Sequence, residues 1–207
     1  AGWCRSAFPY SFNHPLSRYH RKITDVVCAR DKYDMPKYRR VVVAGPRGLG
    51  KTSLVLFSRL AHGIVFGHVK YGVYITASAD NAIEKTEDVK KQIMDSDICR
   101  ELTGGIDPRE LPDGEFGYQY SKESYVAKSP ILAHTFGGEY RGTKVIPRGN
   151  LQQVRGKGAS GSRPDLIIGD DVDDPRKTRS EVTRDDIKRW WIADVMPSVD
   201  QLDLRQN

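Results

Sequence analysis

The sequence lacks several features that mark whole classes of protein. No apolar run approaches the roughly 20 residues that a membrane-spanning helix needs, and the first twenty residues contain no long hydrophobic stretch of a secretory signal. Only three cysteines are present and they lie far apart, so we expect reduced thiols in a cytosol-like compartment and no disulfide framework. There is no CxxC pair, and the five histidines have no metal-ligand spacing, which argues against a structural zinc site.

Internal repeats at solenoid or propeller periods are also missing, and 207 residues suit a single domain. We divide it into a lead-in segment, residues 1–40, which begins with many aromatic and basic residues, and a core, residues 41–207. Lys plus Arg number 33 and Asp plus Glu number 27, which gives a net charge of +6. This mildly basic balance permits a nucleic-acid partner without requiring one.

Strand patterns alternate with helix patterns along the core, which predicts an α/β domain with a mainly parallel sheet. The apolar runs 41–44 and 166–169 border glycine and predict strands buried on both faces. Further strands are expected at 71–77 and, in shorter form, within 118–145, and a loop is expected at 103–117. Helices are expected at 23–29 and at 51–61, with Gly63 just past the end of the second. Two more helices are expected, one from a cap at Asp80 or Asn81 to Ile93 and one from a cap at Thr183 to Pro197.

Residues 45–52 match the phosphate-loop pattern G-x-x-x-x-G-K-[ST] in full, between a predicted strand and a predicted helix. Glycines let consecutive backbone N–H groups turn towards phosphate oxygens, and the following helix presents its positive end to the same anion. Lys51 would reach the β and γ phosphates, and the Thr52 hydroxyl would bind Mg²⁺. A chance match is roughly a one-in-a-hundred event, so a plain glycine turn is the weaker interpretation. The predicted nucleotide-binding residues are Gly45, Pro46, Arg47, Gly48, Leu49, Gly50, Lys51, Thr52 and Ser53.

Four carboxylates lie within five residues after the apolar run 166–169. An aspartate at such a strand end can hold Mg²⁺ through water, and we assign this role to Asp170. Asp171 is placed to orient or deprotonate an attacking water. Asp173 and Asp174 complicate the pattern, because clustered carboxylates raise one another's pKa unless a cation neutralises them. The alternative is an acidic, solvated loop.

Motifs outside the phosphate loop indicate which class of nucleotide-binding enzyme the sequence fits. The chain contains no N-K-x-D motif, which argues against a GTPase of the Ras type. A small-molecule kinase is possible, but adjacent acids after the strand fit a hydrolysing ATPase that does mechanical work better.

Several segments together resemble one known family over most of the chain. They are Phe12-Asn13-His14-Pro15 with His20-Arg21, the loop 44–52 with its internal arginine, the strand and helix pattern 74–93, Val154-Arg155-Gly156, Arg163-Pro164-Asp165 leading into the double aspartate, and 184–197 with Trp190-Trp191. The sequence resembles the ATPase domain of the large subunit of tailed-phage terminases. That resemblance implies a P-loop NTPase fold of the ASCE type, a three-layer sandwich around a mainly parallel sheet.

The resemblance also implies roles for individual residues. Arg47 would correspond to the family's phosphate-sensing arginine, and a guanidinium there would stabilise charge in the transition state. Arg155 would be the arginine finger offered to a neighbouring subunit, although an inserted stretch, 156–162, leaves Arg163 as a rival. The family often has glutamate where Asp171 stands, so Asp173 or Asp174 could share its role.

The function implied is a DNA-packaging motor that uses ATP and Mg²⁺ to move double-stranded DNA into a procapsid. The implied partners are further copies of the chain in a ring on the portal, the portal protein and the terminase small subunit, in the cytoplasm of an infected bacterial host and not at a membrane. The chain would then stop before the family's coupling motif and nuclease domain. Two alternatives stay open: a helicase-like or recombination ATPase, and a non-hydrolysing, nucleotide-gated assembly module.

Basic and aromatic residues outside these motifs are harder to assign. Phosphate contacts need Lys and Arg, and the dispersed candidates are Arg18, Arg21, Lys22, Arg39, Arg40, Arg141, Lys144, Arg148, Arg155, Lys157, Arg176, Lys177 and Arg179. Trp3 and Phe8 are expected in the core, whereas Tyr10, Phe12 and Arg21 are candidates near an adenine base. Trp191 shares a helix face with Ile187 and Val195, which predicts that it anchors the last helix to the sheet.

Overall fold

The computed structural model describes residues 2–32, 36–105, 125–127, 129–136, 142–154, 163–173 and 180–199. Its helices are α1 (Gly2–Ala7), α2 (Arg18–Val27), α3 (Lys51–Val55), α4 (His62–Val65), α5 (Ala79–Asp95), α6 (Asp97–Thr103), α7 (Pro130–Phe136) and α8 (Glu181–Trp190). Its strands are β1 (Tyr71–Thr76), β2 (Tyr125–Ala127), β3 (Thr143–Gly149) and β4 (Leu166–Gly169). Within these ranges, no helix has the length and apolar character needed to cross a membrane.

The four strands form one sheet in the order β2-β3-β1-β4. β1 pairs in parallel with β3 on one side and with β4 on the other, while β2 runs antiparallel to β3. All six residues of β1 are buried, as expected for the strand that has a parallel neighbour on each side. The prediction of an α/β domain with a mainly parallel sheet is therefore confirmed. β1 corresponds to the strand expected at 71–77 and ends one residue earlier.

Helices cover both faces of the sheet, an arrangement compatible with a three-layer sandwich. Tyr74 of β1 packs into a cluster with residues of α3, α4 and α5. Tyr71, Val73 and Ile75 point to the other face, where they pack with Trp190 and with the turn that follows α8. Because side chains alternate along a strand, β1 contributes to both layers of the core.

α5 has the buried face that its sequence predicts. Ala82, Thr86, Val89 and Ile93 are each less than 5% exposed. The predicted cap at Asp80 or Asn81 is wrong, however, because the helix starts earlier. Ser78 has an extended backbone, and its side-chain oxygen accepts a hydrogen bond from the backbone N–H of Asn81, which satisfies a free donor of the first turn.

The predicted strand at 41–44 is absent: these residues are described and belong to no strand. The Val42 side chain is 93% exposed, and Val41 and Val43 lie beside a cavity that β4 also borders. An apolar, β-branched run favours extended backbone, but a strand also needs a partner in hydrogen-bonding reach. Among the strands that the structure describes, β4 pairs only with β1 and lies at the edge of the sheet. Ile168 is its one buried residue, so the expectation that both faces of 166–169 are buried is also wrong.

The helix that follows the loop is longer than predicted. α3 continues through a π-helical turn, Leu56–Ala61, directly into α4, so that Gly63 lies inside the helical run and does not end it. A Cβ atom at Gly63 would lie 2.9 Å from Cβ of Val69. Gly63 therefore permits close packing of α4 against the segment that leads into β1.

The two ends of the described chain also differ in detail from the sequence prediction. α2 begins at Arg18, five residues before the expected helix, because Ser17 and His20 form a reciprocal capping box at its start. α8 begins after Ser180 and not at Thr183, and a π turn and a 3₁₀ turn follow it as far as Ser198. Trp191 does pack against the sheet, as predicted. Residues 106–117 of the predicted loop 103–117 lie outside the described ranges.

Candidate functional site

The loop at 45–50 closes around its own lysine. Gly48 and Gly50 have φ values of 81° and 61°, a region that glycine enters without steric cost. The Lys51 ammonium donates hydrogen bonds to the carbonyl oxygens of Gly45, at 2.9 Å, and Pro46, at 2.7 Å. An ammonium has three donors, so one remains for an anion that enters the loop.

Two neighbouring side chains of α2 hold this loop near its ends. The Tyr19 hydroxyl donates to the carbonyl oxygen of Ala44, and Nε2 of His20 lies 2.7 Å from the carbonyl oxygen of Leu49. Because Nδ1 of His20 accepts from the Ser17 backbone N–H at 3.2 Å, the proton of a neutral ring sits on Nε2, which therefore donates to Leu49. The lead-in segment thus restrains the main chain of the phosphate loop.

The acidic end of β4 is tied to β1. The backbone N–H of Asp170 donates to the carbonyl oxygen of Ile75 at 2.9 Å, and that of Ala77 donates to the carbonyl oxygen of Asp171 at 3.1 Å. Asp171 has a φ of 40°, which is uncommon for a residue with a Cβ atom. Such strained backbone is often found at functional sites. Here it lies in the turn that follows β4.

Tyr74 connects the core of the sheet to Asp170. Its hydroxyl donates to Oδ2 of Asp170 at 2.9 Å, and its side chain is 1% exposed. Burial, the negative charge of Asp170 and this hydrogen bond together raise the pKa of the Tyr74 phenol well above its ordinary value. The phenol therefore stays protonated and remains a donor.

Lys51 and Thr52, the last two residues of the phosphate-loop motif, and the acidic strand end line one cavity of about 1020 Å³. The other predicted nucleotide-binding residues, 45–50 and Ser53, are not in its wall. Its wall includes Lys51, Thr52, Tyr74, Asp170 and Asp171. Residues that are more than a hundred positions apart in the chain are thus brought together. A concave site with convergent charged groups of both signs is the arrangement that binds a charged ligand together with a cation.

The opposite end of this cavity has a structural aspartate. Asp165 accepts hydrogen bonds from the backbone N–H groups of Lys70, at 2.7 Å, and Tyr71, at 3.0 Å, which joins the start of β4 to the start of β1. Removal of water raises the pKa of Asp165, an effect larger than the opposing effect of the two donors. Arg59 borders the same end, and burial lowers the pKa of its guanidinium.

Other predicted site residues lie elsewhere. Arg47 and Asp173 are exposed and are not part of the cavity wall. Arg163 is exposed, and its guanidinium donates to the carbonyl oxygen of Pro197 at 3.3 Å. Arg155 and Asp174 lie outside the described residues.

The lead-in aromatic residues divide into core and surface. Phe8 and Phe12 are buried against Phe57, which confirms the core prediction for Phe8. Trp3 is partly buried and packs on Phe8 edge to face at the border of the core. Phe12 is thus a core residue, although the sequence suggested it as a candidate near the base. Tyr10 is 90% exposed. Tyr10, Phe12 and Arg21 are not in the cavity wall.

The oxygen atoms at the cavity suit a magnesium ion. A hydroxyl, from Thr52, and a carboxylate, from Asp170, are both hard donors, and Mg²⁺ commonly takes one or two protein ligands while phosphate and water supply the rest. In the part of the chain that the structure describes, no three His, Cys, Asp or Glu side chains gather as a metal cluster. The donors present therefore fit a cation held jointly with a phosphate ligand.

Tyr19, His20 and Tyr74 are the site residues that sequence analysis did not assign. Their signal in the sequence was weak: Tyr19 and His20 stand in an aromatic and basic segment, and Tyr74 in a strand pattern. No protein-family model, curated protein or solved structure matches the chain.

Proposed function

We propose that this chain is the ATP-hydrolysing motor domain of a viral DNA-packaging terminase, with a P-loop NTPase fold of the ASCE type. The observation that supports the proposal best is that Lys51 and Thr52 share one cavity wall with Asp170 and Asp171. A phosphate-binding lysine and threonine and a carboxylate pair that line one cleft are the two halves of a site for a nucleoside triphosphate and Mg²⁺. The segments of the sequence that resemble the terminase family favour a terminase over other ATPases.

Binding would begin at the loop. The backbone N–H groups of residues 47–50 and the remaining donor of Lys51 would contact the β and γ phosphates. Thr52 and Asp170 would hold Mg²⁺, which supplies charge neutralisation at the β and γ oxygens when bound. Tyr19 and His20 would keep the loop in shape while the ligand enters, because both bond to its main chain.

Hydrolysis would then proceed by in-line attack of water on the γ phosphorus. Asp171 would orient this water and accept its proton while the bond from the γ phosphorus to the bridging oxygen breaks, which yields ADP and inorganic phosphate. Arg47, which is exposed and outside the cavity wall, would have to turn towards the transferred group to stabilise its negative charge. Arg155 of a neighbouring copy would act as the finger, with Arg163 as its rival; Arg163 would first have to leave the Pro197 carbonyl.

The work done would be the movement of double-stranded DNA into a procapsid. The motor would act as a ring of copies on the portal, with the portal protein and the small subunit as partners, in the cytoplasm of an infected bacterial host. The net charge of +6 suits contacts with DNA phosphates.

Phosphate release from ATP by Lys51→Ala and Asp171→Asn tests this proposal. We expect turnover to fall by about 100-fold or more in each, because one variant loses a phosphate contact and the other loses the base. Lys91→Ala, an exposed lysine on α5, is the matched control and should keep normal turnover. Near-normal turnover in both site variants would exclude the proposed function.

A further inference from the structure

Tyr74 occupies an unusual position between the core and the cavity. Its ring belongs to the buried cluster that also contains Ile168, its direct partner in the β1–β4 ladder. Its hydroxyl reaches past that pair to Oδ2 of Asp170, two residues after Ile168 and just beyond the end of β4. The ring is thus held by packing while the polar end meets a carboxylate in the cavity wall.

The hydrogen bond uses one carboxylate oxygen of Asp170 and leaves the other available. Within the described residues, Oδ1 of Asp170 makes no hydrogen bond and no lysine or arginine forms an ion pair with this side chain. A neutral phenol restrains the carboxylate without cancelling its negative charge, which a cationic partner would do. A carboxylate held in this way is oriented for a cation and still attracts it.

We propose that Tyr74 is a positioning residue: it fixes the rotamer of Asp170 so that Oδ1 is presented to the Mg²⁺ that accompanies the nucleotide. This inference rests on the proposed function and adds a residue to it. Groups that hydrogen-bond a metal-binding side chain commonly change metal affinity by 10–100-fold when they are removed. Tyr74 never touches the substrate in this scheme and acts through Asp170 alone.

The test compares Tyr74→Phe with Tyr71→Phe in the full chain. Each substitution removes one hydroxyl from a buried tyrosine of β1, but Tyr71 points to the opposite face of the sheet. We expect Tyr74→Phe to raise the Mg²⁺ concentration for half-maximal ATP turnover about 10-fold or more. Turnover at saturating Mg²⁺ should recover most of its value, and Tyr71→Phe should change neither quantity more than twofold.

Binding of Mn²⁺, followed by its electron paramagnetic resonance in the presence of a non-hydrolysable ATP analogue, gives a readout independent of turnover. Tyr74→Phe should weaken Mn²⁺ binding by a similar factor and leave analogue binding in a metal chelator unchanged. In an Asp170→Asn background, Tyr74→Phe should add less than a twofold effect, because the residue through which it acts is already altered.

The possible outcomes separate the two proposals. If wild-type protein hydrolyses ATP and Tyr74→Phe behaves like Tyr71→Phe in both metal titrations, the role of Tyr74 is overturned and the proposed function stands. An equal loss of turnover at every Mg²⁺ concentration would also overturn it, since that pattern indicates a general structural defect. If the wild-type chain binds no nucleotide, both proposals fail together.

Discussion

The imidazole of His20 donates from Nε2 to the carbonyl oxygen of Leu49 at 2.7 Å, while its Nδ1 accepts from the backbone N–H of Ser17. One side chain therefore joins the start of α2 to the last turn of the phosphate loop. The contact couples the lead-in segment to the part of the site that would receive phosphate. Its removal should affect ligand binding more than the rest of the fold.

Substitution of His20 should weaken nucleotide binding. His20→Ala loses the donor to Leu49, and a net loss of about 1 kcal/mol predicts roughly fivefold lower affinity. His20→Gln retains a donor of similar reach and should recover part of this loss. Titration with a fluorescent ATP analogue measures both, and His14→Ala, at an exposed position before α2, is the control. Equal affinities for His20→Ala and His14→Ala would contradict the coupling.

Gly45 and Tyr19 should behave as a coupled pair. A Cβ atom at Gly45 would lie 2.5 Å from the Tyr19 hydroxyl oxygen, so Gly45→Ala forces that contact apart. Tyr19→Phe removes the oxygen and relieves the clash. We expect Gly45→Ala to reduce ATP-analogue affinity strongly in wild type and less in the Tyr19→Phe background. Strictly additive effects in a double-mutant cycle would show that the two residues do not meet.

Stability should fall in mild acid through His62. Burial, followed by the effect of His68 and nearby cations, lowers the pKa of His62 from 6.5 to about 4. The lowered pKa means that the unfolded chain takes up a proton at His62 at higher pH than the folded chain does. The contribution of the neutral His62 ring to stability is therefore fully present above pH 6.5 and is lost as pH falls towards 4. Because the ring is only partly buried, we expect a loss of about 1–2 kcal/mol.

Urea unfolding at pH 7 and pH 4.5 measures this loss. His62→Phe retains a ring against Trp3 and Phe66 but cannot titrate, so it should lose less stability between the two pH values than wild type. His14→Gln is the control, and its pH dependence should match that of wild type. Identical pH profiles for wild type and His62→Phe would show that other groups are responsible.

Gly169 should tolerate no side chain. A Cβ atom there would collide with the ring of Trp191 and approach its Cζ3 to 3.0 Å. Overpacking of this kind costs about 1–3 kcal/mol, and the displaced strand end would carry Asp170 and Asp171 with it. Urea unfolding and ATP turnover of Gly169→Ala should both decline. Gly2→Ala, with no atom within 4 Å of the new methyl group, is the control.

Val42 should accept a polar residue. Because its side chain is 93% exposed, Val42→Asn should change the free energy of unfolding by less than about 0.5 kcal/mol. Val73→Asn, at a buried position of β1, is the contrasting variant and should cost about 3 kcal/mol or more. Similar losses for both would indicate that 41–44 is buried like a central strand, as its sequence pattern alone suggested.

The apolar runs 41–44 and 166–169 show what sequence can and cannot predict. Both have the composition of a buried strand, yet the second pairs with β1 while the first lies unpaired beside the cavity. Composition reports a local preference for extended backbone, whereas pairing depends on residues far away in the chain. The buried face of α5 was predictable because helical periodicity is encoded within the helix itself.

The candidate site divides in the same way. Lys51, Thr52, Asp170 and Asp171 could be named from spacing, because the chemistry of phosphate and Mg²⁺ requires those residue types in that order. Tyr19, His20 and Tyr74 could not, since each acts through a contact made only in the folded chain. The predicted helix end at Gly63 is wrong for a related reason. Glycine can end a helix or permit close packing, and only the contact with Val69 in the folded chain distinguishes the two.

β4 is four residues long and has an aspartate fastened to β1 on either side of it: the backbone N–H groups of Asp165 and Asp170 donate to the carbonyl oxygens of Tyr71 and Ile75. A strand pinned at both ends cannot slide. A shift by a single residue would turn every side chain to the opposite face and replace Asp170 by a neighbour at the cavity. The length of this strand thus sets which residue reaches the cavity. Adding or deleting one residue between the two aspartates should abolish the site even if the sheet still forms.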